Sequence, residues 1–340
     1  RTGGDIYLGV VGPVRSGKST FIKRFAELML LPRIKNEARR ARAHDELPQS
    51  AAGRTIMTTE PKFIPEKAVK IDLSGGGSFK ARLIDCVGYM VDGALGHEEN
   101  EAPRLVKSPW FDHEVPFDLA AETGTRCVIR EHATIGLVVT TDGSVADLPR
   151  EAYLDAERRI IAELNDSGKP YVILLNCAEP DSDDARRLAT ELAERYAHAV
   201  VPLNCTTMTV ETLDSLLQTL LYEFPIREIA VRMPGWVTML ESGHWLQSAI
   251  YTAMLEFAAS VHKMADLAGR RPQLGCEYIT SASLTGMDLA SGSVGINAVV
   301  APDIFYKILG EQTGLDIVDE ASLLPCVVSL ARAKRAYDKI

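Results

Sequence analysis

Apolar and polar positions alternate along the first 225 residues in a rhythm typical of strands followed by helices. Compact apolar runs predict strands, and segments with apolar residues at helical spacing predict helices between them. The predicted strands are 6–11, 68–73, 79–85, 135–140, 171–176 and 200–204. The predicted helices are 19–31, 150–165, 183–197 and 210–221.

The second and third apolar runs are separated only by the Gly-rich segment 74–78, which favours a β-hairpin. The other strands are joined mostly by helices, which favours parallel neighbours. We therefore expect an α/β fold with a mixed sheet, one antiparallel strand and helices on both faces. Segments 33–56 and 92–116 are polar and lack apolar periodicity, so we expect two surface insertions there.

The strand–helix rhythm stops near Phe224 and Pro225, which predicts a domain boundary. Beyond it the pattern predicts a long helix over 245–268, strands over 277–283 and 293–300, and a helix over 302–309. We therefore expect a nucleotide domain over 1–225 and a smaller α+β domain over 226–340. The first residue is Arg1, and Ile340 lies in a helix-like segment without a cap, so we expect a fragment of a longer protein.

Composition excludes several classes of protein. The 340 residues are 46% hydrophobic and 24% charged, which is typical of a globular chain, and the apolar runs are too short to span a membrane. The net charge of -9 disfavours nucleic acid as a partner. The six cysteines form no CxxC pair and the seven histidines show no ligand spacing, so we predict neither a zinc site nor disulfides, and a cytoplasmic location.

A phosphate-binding loop is the strongest chemical signal in the sequence. Residues 12–19 read Gly-Pro-Val-Arg-Ser-Gly-Lys-Ser and lie between a predicted strand and a predicted helix. In this pattern backbone N–H groups surround phosphate oxygens, a lysine reaches the terminal phosphates and a hydroxyl binds Mg²⁺. The predicted nucleotide contacts are Gly12, Pro13, Val14, Arg15, Ser16, Gly17, Lys18, Ser19 and Thr20.

Two further elements suit a nucleotide with Mg²⁺. Asp85 ends an apolar strand, where its carboxylate can bind Mg²⁺, and Gly88 can offer its N–H to a γ-phosphate. Thr58 and Thr59 lie between the loop and the hairpin, where a hydroxyl can complete Mg²⁺ coordination only when a γ-phosphate is present. We therefore predict Lys18, Asp85, Thr58 and Thr59 as catalytic residues, and Ser19, Thr59 and Asp85 as metal ligands.

Two departures from regulatory GTPases affect rate and base choice. Tyr89 stands where a glutamine often positions water, so we expect slow hydrolysis unless another group or subunit orients the water. The guanine-selecting Asn-Lys-x-Asp motif is replaced by Asn-Cys-Ala-Glu at 176–179. Cys177 lacks the long stem that stacks on the base, so ATP is the better prediction, with Asn176 kept as a nucleotide-binding residue.

Segments 12–20, 48–53, 56–63, 85–88 and 140–143 together closely resemble the stage IV sporulation protein A family, and the resemblance covers essentially the whole chain. The resemblance implies a P-loop ATPase of the translation-factor-like (TRAFAC) branch that hydrolyses ATP and self-assembles into polymers. These polymers form the basement layer of the spore coat of endospore-forming bacteria. By position, Lys18 and Ser19 match the loop pair, Asp85 the Mg²⁺-side carboxylate, and Thr58 and Thr59 the sensor threonines.

The resemblance also implies partners and a place. Members of the family assemble in the mother-cell cytoplasm at the outer forespore membrane surface, recruited by a small membrane-bound amphipathic peptide and joined by other coat proteins. A C-terminal domain of the family is expected beyond residue 340. Two alternatives stay open, a TRAFAC-type GTPase molecular switch and a structural scaffold that binds nucleotide without turning it over.

Overall fold

The structure is a computed structural model that describes residues 5–48, 61–72, 78–91, 93, 98–99, 102–145, 148–288 and 291–338. The chain divides into two compact units, Arg1–Phe224 and Pro225–Ile340. Thr58 and Thr59 lie outside the described residues, as does most of the family-specific segment around them.

The first unit is an α/β unit. Its strands are β1 (Asp5–Val11), β2 (Lys62–Asp72), β3 (Ser78–Asp85), β4 (Glu98–Glu99), β5 (Ala102–Pro103), β6 (Leu105–Val106), β7 (Val115–Pro116), β8 (Ile135–Thr141), β9 (Tyr171–Asn176) and β10 (Val200–Leu203). Its α-helices are α1 (Lys18–Phe25), α2 (Glu37–Asp45), α3 (Phe117–Cys127), α4 (Leu154–Ser167), α5 (Asp183–Tyr196) and α6 (Val210–Tyr222). Wider π-helical turns over Ala26–Leu30 and Val128–His132 continue α1 and α3, and 3₁₀ turns cover Leu31–Arg33 and Arg150–Tyr153.

Six of these strands form one sheet in the order β10-β9-β8-β1-β3-β2. Strand β2 runs antiparallel to β3, and the other neighbours are parallel. The predicted mixed sheet with one antiparallel strand is therefore confirmed. Because β1 lies between β3 and β8, the carboxyl ends of these three strands meet at one edge, where the loop after β1 begins.

The centre of the sheet is covered on both faces. Every residue of β8 and β9 is buried, and since side chains alternate between the faces of a strand, packing must cover both. Helix α4 packs Ile160 and Leu164 into the same core cluster as Val138 and Ile173. Helix α1 contacts β1 and β3, and α6 contacts β9. This packing makes the sheet a rigid support for the loops at its edge.

The first predicted insertion contains more order than expected. Helix α2 begins after Asn36, whose side-chain oxygen accepts a hydrogen bond from Arg39 N at 2.9 Å, and it buries Ala43. This N-cap satisfies a backbone donor at the start of the helix. The polar, Arg-rich sequence has no apolar periodicity, so the helix was not predicted. Within the second predicted insertion, the described residues form two short ribbons, β4 with β5 and β6 with β7.

Two further elements of the first unit differ from prediction. Strand β2 begins at Lys62, six residues before the predicted start, because Pro65 is tolerated in this edge strand beside a register shift between Ile64 and Val69. Helix α3 was not predicted, because its buried face contains small residues such as Ala120 and Gly124, which give a weak apolar signal.

The second unit is a smaller α+β unit. It contains β11 (Glu228–Arg232), β12 (Ile279–Asp288), β13 (Ser293–Val300), α7 (Gly235–Thr238), α8 (Trp245–Ser260), α9 (Pro302–Thr313), α10 (Glu320–Tyr337) and a 3₁₀ turn over Met264–Asp266. The sheet order is β11-β13-β12, with β13 parallel to β11 and antiparallel to β12. Strand β11 was not predicted, since it is at most half-buried. Helix α10 corresponds to the helix-like segment expected near the end of the sequence, and none of its residues is buried.

Helix α8 ends at Ser260, whereas the apolar pattern predicted a helix to residue 268. The carboxylate of Asp266 accepts hydrogen bonds from His262 N at 2.9 Å and Lys263 N at 3.0 Å. This local turn offers the backbone an alternative to the helix and stops α8 early. No helix in the described ranges combines the length and apolar character needed to cross a membrane.

Candidate functional site

The loop after β1 turns sharply between the last residue of the strand, Val11, and the start of α1 at Lys18. The φ angles of Gly12 and Gly17 are 152° and 105°, in the region that favours glycine. A Cβ atom at Gly12 would collide with the carbonyl oxygen of Val139, and one at Gly17 with the side-chain nitrogen of Asn176. Both glycines therefore allow the loop to pack against the edge of the sheet.

The side chain of Lys18 is buried inside this loop. Its Nζ atom donates hydrogen bonds to the carbonyl oxygens of Gly12 at 3.1 Å and Pro13 at 2.6 Å, and the residue is only 6% exposed. Burial lowers the pKa of Lys18, while Cys86 and Asp85 act in the opposite direction. The helix N-terminus and this desolvated ammonium group together favour an anion at the loop.

The remaining loop residues differ in how exposed they are and in which hydrogen bonds hold them. Val14 N donates to Tyr89 O at 2.8 Å, which fixes the loop to the segment after β3. Ser16 Oγ is buried and has no hydrogen-bond partner among the described residues. Arg15 and Ser19 are exposed, and Thr20 is half-buried. An unsatisfied buried hydroxyl beside a buried lysine is the kind of donor set that suits phosphate oxygens.

Asp85 ends β3 beside the loop, in register with Val10 of β1. Burial raises the pKa of its carboxyl to about 6, and the charges of Lys18 and Lys62 oppose that rise. Lys62, the first residue of β2, pairs with Asp85 across the hairpin. The structure therefore brings Lys18 and Asp85 together, as the sequence predicted.

Gly88 lies directly against the loop. Its φ angle is 93°, and a Cβ atom there would collide with the carbonyl oxygen of Gly12 and lie 2.6 Å from Lys18 Nζ. Tyr89 follows it, but its side chain is only 1% exposed and packs in the core, with the Arg159 guanidinium 4.9 Å from the centre of its ring. The ring of Tyr89 is thus turned away from solvent and cannot orient a water molecule at the loop.

Asn176 supports the loop from the end of β9. Its Nδ2 atom donates to Ser16 O at 3.0 Å, and its Oδ1 atom accepts from Cys205 N at 3.1 Å. Both ends of the amide are therefore bonded to backbone. Cys177 is fully buried, with its Sγ atom 3.5 Å from Leu175 O, and Glu179 is exposed.

The comparisons with known proteins cover the whole chain. Residues 1–225 match the family model described as stage IV sporulation protein A, ATPase domain, and residues 226–340 match the middle domain of the same family. A stage IV sporulation protein A of Bacillus subtilis (strain 168) is 45% identical over 342 residues, covering all of this chain and 69% of the relative. Relatives of the same name from Bacillus anthracis and Clostridioides difficile (strain 630) are 44% and 42% identical, with 69% and 70% of their lengths covered.

This chain belongs to the stage IV sporulation protein A family. The predicted resemblance is therefore confirmed, and the chain is a sporulation ATPase with ATP as its substrate. The loop over residues 12–19 and Asp85 lie together at the carboxyl ends of the central strands of this chain.

Two clusters in the first unit were missed by sequence reasoning. Fully buried Glu157 accepts hydrogen bonds from Thr140 Oγ1 at 2.5 Å and Tyr196 Oη at 2.9 Å, and pairs with Arg150 Nη1 at 2.6 Å. No local spacing signals this network, because its members come from four elements.

The second missed cluster consists of three side chains with possible metal-ligand atoms. Side-chain ligand atoms of Cys127, Glu131 and His132 all lie within 4.8 Å of one another, although the sequence predicted no metal-ligating spacing for the cysteines and histidines. Sequence reasoning did not single out this cluster because Cys127 and His132 are five residues apart, a spacing that does not share one face of an α-helix. The π-helical turn of Val128–His132 changes that geometry.

Proposed function

We propose that this chain is the catalytic part of a self-assembling ATPase that uses Mg²⁺ and forms the basement layer of the spore coat. The observation that carries the proposal is the buried Lys18 between the carbonyl oxygens of the loop, with Asp85 beside it, in a chain of this family. In the same proposal the first unit is a TRAFAC-type P-loop ATPase domain over 1–225, followed by a middle domain over 226–340.

The donors at the loop fit a triphosphate. The unsatisfied Ser16 hydroxyl, the helix N-terminus at Lys18 and the backbone opened by Gly12 and Gly17 are all suited to phosphate oxygens. We assign the nucleotide contacts to loop residues 12–20 and to Gly88, which lies directly against Gly12 and Lys18. Asn176 acts as a positioning residue for the loop, because both ends of its amide bond backbone groups.

The acceptors beside the loop fit Mg²⁺. The carboxylate of Asp85 and the hydroxyls of Ser19 and Thr59 are oxygen ligands of the kind that Mg²⁺ prefers. Thr59 precedes β2 by three residues, and β2 begins opposite Asp85, which supports this assignment. When bound, Mg²⁺ would neutralise charge on the phosphates.

Lys18 supplies the main electrostatic contribution of the chain itself. Its ammonium group is desolvated and held by two carbonyl oxygens, so it can move to the terminal phosphate without reorganising solvent. We propose Thr58 and Thr59 as the residues that respond to the γ-phosphate. Because Tyr89 is buried in the core, we expect slow turnover unless another group or a neighbouring subunit orients the water.

The environment of residues 176–179 supports adenine over guanine. A guanine-selecting lysine would extend from the position of Cys177, and the short Cys177 side chain is fully buried. Competition of ATP and GTP for the same site tests this part of the proposal. A clear preference for GTP would instead favour a molecular-switch GTPase.

We further propose that assembly occurs in the mother cell at the outer forespore membrane. The partners would be other copies of the same protein, other coat proteins and a small membrane-bound amphipathic peptide, with no nucleic acid involved. The net charge of -9 is in keeping with the absence of a nucleic-acid partner. Light scattering of the longer family protein, with and without ATP, measures assembly directly. No increase on adding ATP would contradict the assembly proposal.

Substitution of Lys18 tests the site itself. Lys18→Ala should abolish ATP binding and phosphate release, because it removes the one buried ammonium group that the described loop contains. The matched control is Lys70→Ala, which removes an exposed lysine on β2 and should leave both unchanged. Equal binding by Lys18→Ala and the parent chain would show that the site is wrong.

Substitution of Thr59 separates binding from turnover. Thr59→Ala should keep ATP affinity within a few-fold and reduce steady-state phosphate release, since the proposed role of its hydroxyl begins only when the γ-phosphate is bound. Undetectable phosphate release by the parent full-length protein would favour the scaffold that binds nucleotide without turnover.

A further inference from the structure

We propose that Cys127, Glu131 and His132 form a Zn²⁺ site, distinct from the Mg²⁺ site of the ATPase centre. One thiolate, one imidazole and one carboxylate are a donor set that zinc binds well. Their ligand atoms lie within 4.8 Å of one another, and Cys127 Sγ is 3.6 Å from His132 Nε2. The three side chains are half-buried, exposed and half-buried respectively, so a metal ion can reach them from solvent.

The local backbone explains why these three residues converge. Helix α3 ends at Cys127, and the next turn, Val128–His132, is π-helical, with Ala133 N donating to Val128 O at 2.8 Å. A π-helical turn is wider than an α-helical one, so residues four and five positions after Cys127 both return to its face. Such turns occur preferentially at functional sites.

The distance between the sulfur and the nitrogen matches tetrahedral coordination. With a Zn–S bond of about 2.3 Å and a Zn–N bond of about 2.0–2.1 Å at a tetrahedral angle, the two ligand atoms lie about 3.6 Å apart. The observed separation of 3.6 Å therefore allows one ion to bind both without movement of the backbone. Three protein ligands leave a fourth position for water.

The cluster lies near the amino-terminal end of β1, whereas the phosphate loop follows the carboxyl end of that strand. Thr134, two residues after His132, donates its N–H to Tyr7 O at 2.8 Å, near the start of β1. The phosphate loop follows the other end of the same strand, about 13 Å further along at about 3.3 Å per residue. An ion at the cluster therefore cannot be the ion that contacts the nucleotide phosphates.

A bound ion would act on an existing contact between the turn after α3 and the start of β2. The ring of His132 packs edge-on against Phe63, with 5.5 Å between the ring centres, and Phe63 is the second residue of β2. Holding His132 in one orientation would also hold this contact. We therefore expect zinc to stabilise the folded chain, since any ligand that binds only the folded state does so.

Zinc binding to the purified chain tests the proposal. The probe is Zn²⁺ alone, added to metal-free protein with excess Mg²⁺ present, and the readouts are bound zinc per chain and the thermal unfolding midpoint. We expect Cys127→Ser and His132→Gln each to weaken zinc binding by at least about tenfold, the smallest loss usually seen when even an outer-shell partner is removed. We also expect zinc to raise the unfolding midpoint of the parent and not of these variants.

A matched control and an independent readout keep the test decisive. The double variant Cys326→Ser/His44→Gln removes one cysteine and one histidine outside the cluster and should bind zinc as the parent does. ATP binding by Cys127→Ser should be unchanged, which shows that the variant is folded. X-ray absorption should show one sulfur among the zinc ligands. Equal zinc affinity in parent and cluster variants, or no zinc binding at all, would mean that the contact is only a thiol–imidazole hydrogen bond and would overturn the proposal.

Discussion

Burial of the Asp85 carboxylate lowers the unfolding free energy of the chain, so replacing Asp85 by a neutral residue should stabilise the chain. Burial raises the pKa of this carboxyl from an ordinary value of 3.8 to about 6, despite the nearby charges of Lys18 and Lys62. At 1.36 kcal/mol for each pKa unit, this rise corresponds to about 3 kcal/mol of unfolding free energy lost when the group is ionised. Because Asp85 is partly exposed, we expect Asp85→Asn to recover about 1–3 kcal/mol at pH 7.5.

The dependence on pH has a definite sign. The folded chain binds the proton of Asp85 more tightly than the unfolded chain, so the stability of the parent falls as pH rises from 3.8 towards and through about 6. The advantage of Asp85→Asn should therefore be largest above pH 7, about half as large at pH 5, and absent below pH 3.8.

The assay is urea unfolding without nucleotide and with EDTA, so that no Mg²⁺ compensates the carboxylate. Hydrogen exchange of peptides from β1, β3 and β8 restricts the readout to the first unit. The matched control is Asp72→Asn, which removes an exposed carboxylate from the neighbouring strand and should change stability by less than about 0.5 kcal/mol. A variant no more stable than the parent at pH 7.5, or an advantage that does not change with pH, would refute the reasoning.

Two other substitutions test the support of the site. Glu157→Ala should lower the unfolding free energy by about 3–5 kcal/mol in the same assay, because it leaves the Arg150 cation buried without its carboxylate. The exposed Glu191→Ala is its control, and equal stability of the two variants would contradict the prediction. Gly17→Ala should weaken ATP binding by at least about tenfold, since its φ of 105° is strained for alanine and the new methyl group meets Asn176. Gly168→Ala, which is also left-handed but has no neighbour within 4 Å, should leave ATP affinity unchanged.

The central sheet could be predicted because its strands are buried on both faces and so are continuously apolar. Strands β8 and β9 have no exposed residue, and their sequence runs show it directly. The edge strand β2 was predicted too short because a proline interrupts its pattern, and α3 was missed because its buried side chains are small. Periodicity thus identified the centre of the fold and failed where an element is stabilised by local geometry.

The candidate site likewise contains residues that the sequence could predict and residues that it could not. Lys18 and Asp85 could be predicted because Asp85 ends a predictable strand and Lys18 begins the helix after its predictable neighbour, β1. The cluster of Cys127 and His132 could not, because its convergence depends on a π-helical turn that leaves no periodic signal. The buried contacts of Glu157 likewise depend on the packing of four elements, which no local spacing encodes.

The segment after β9 shows why a binding motif can lose one residue and keep another. In this structure Asn176 bonds Ser16 of the loop and Cys205 of a third segment, so its amide serves the loop whichever base is bound. Cys177 makes no such hydrogen bond to the described loop residues, and its side chain is fully buried. Replacing Asn176 would leave two buried backbone groups unsatisfied, at about 1–3 kcal/mol for each. Under the proposed function, residues 177 and 179 can therefore differ from the guanine-selecting motif while Asn176 still supports the loop.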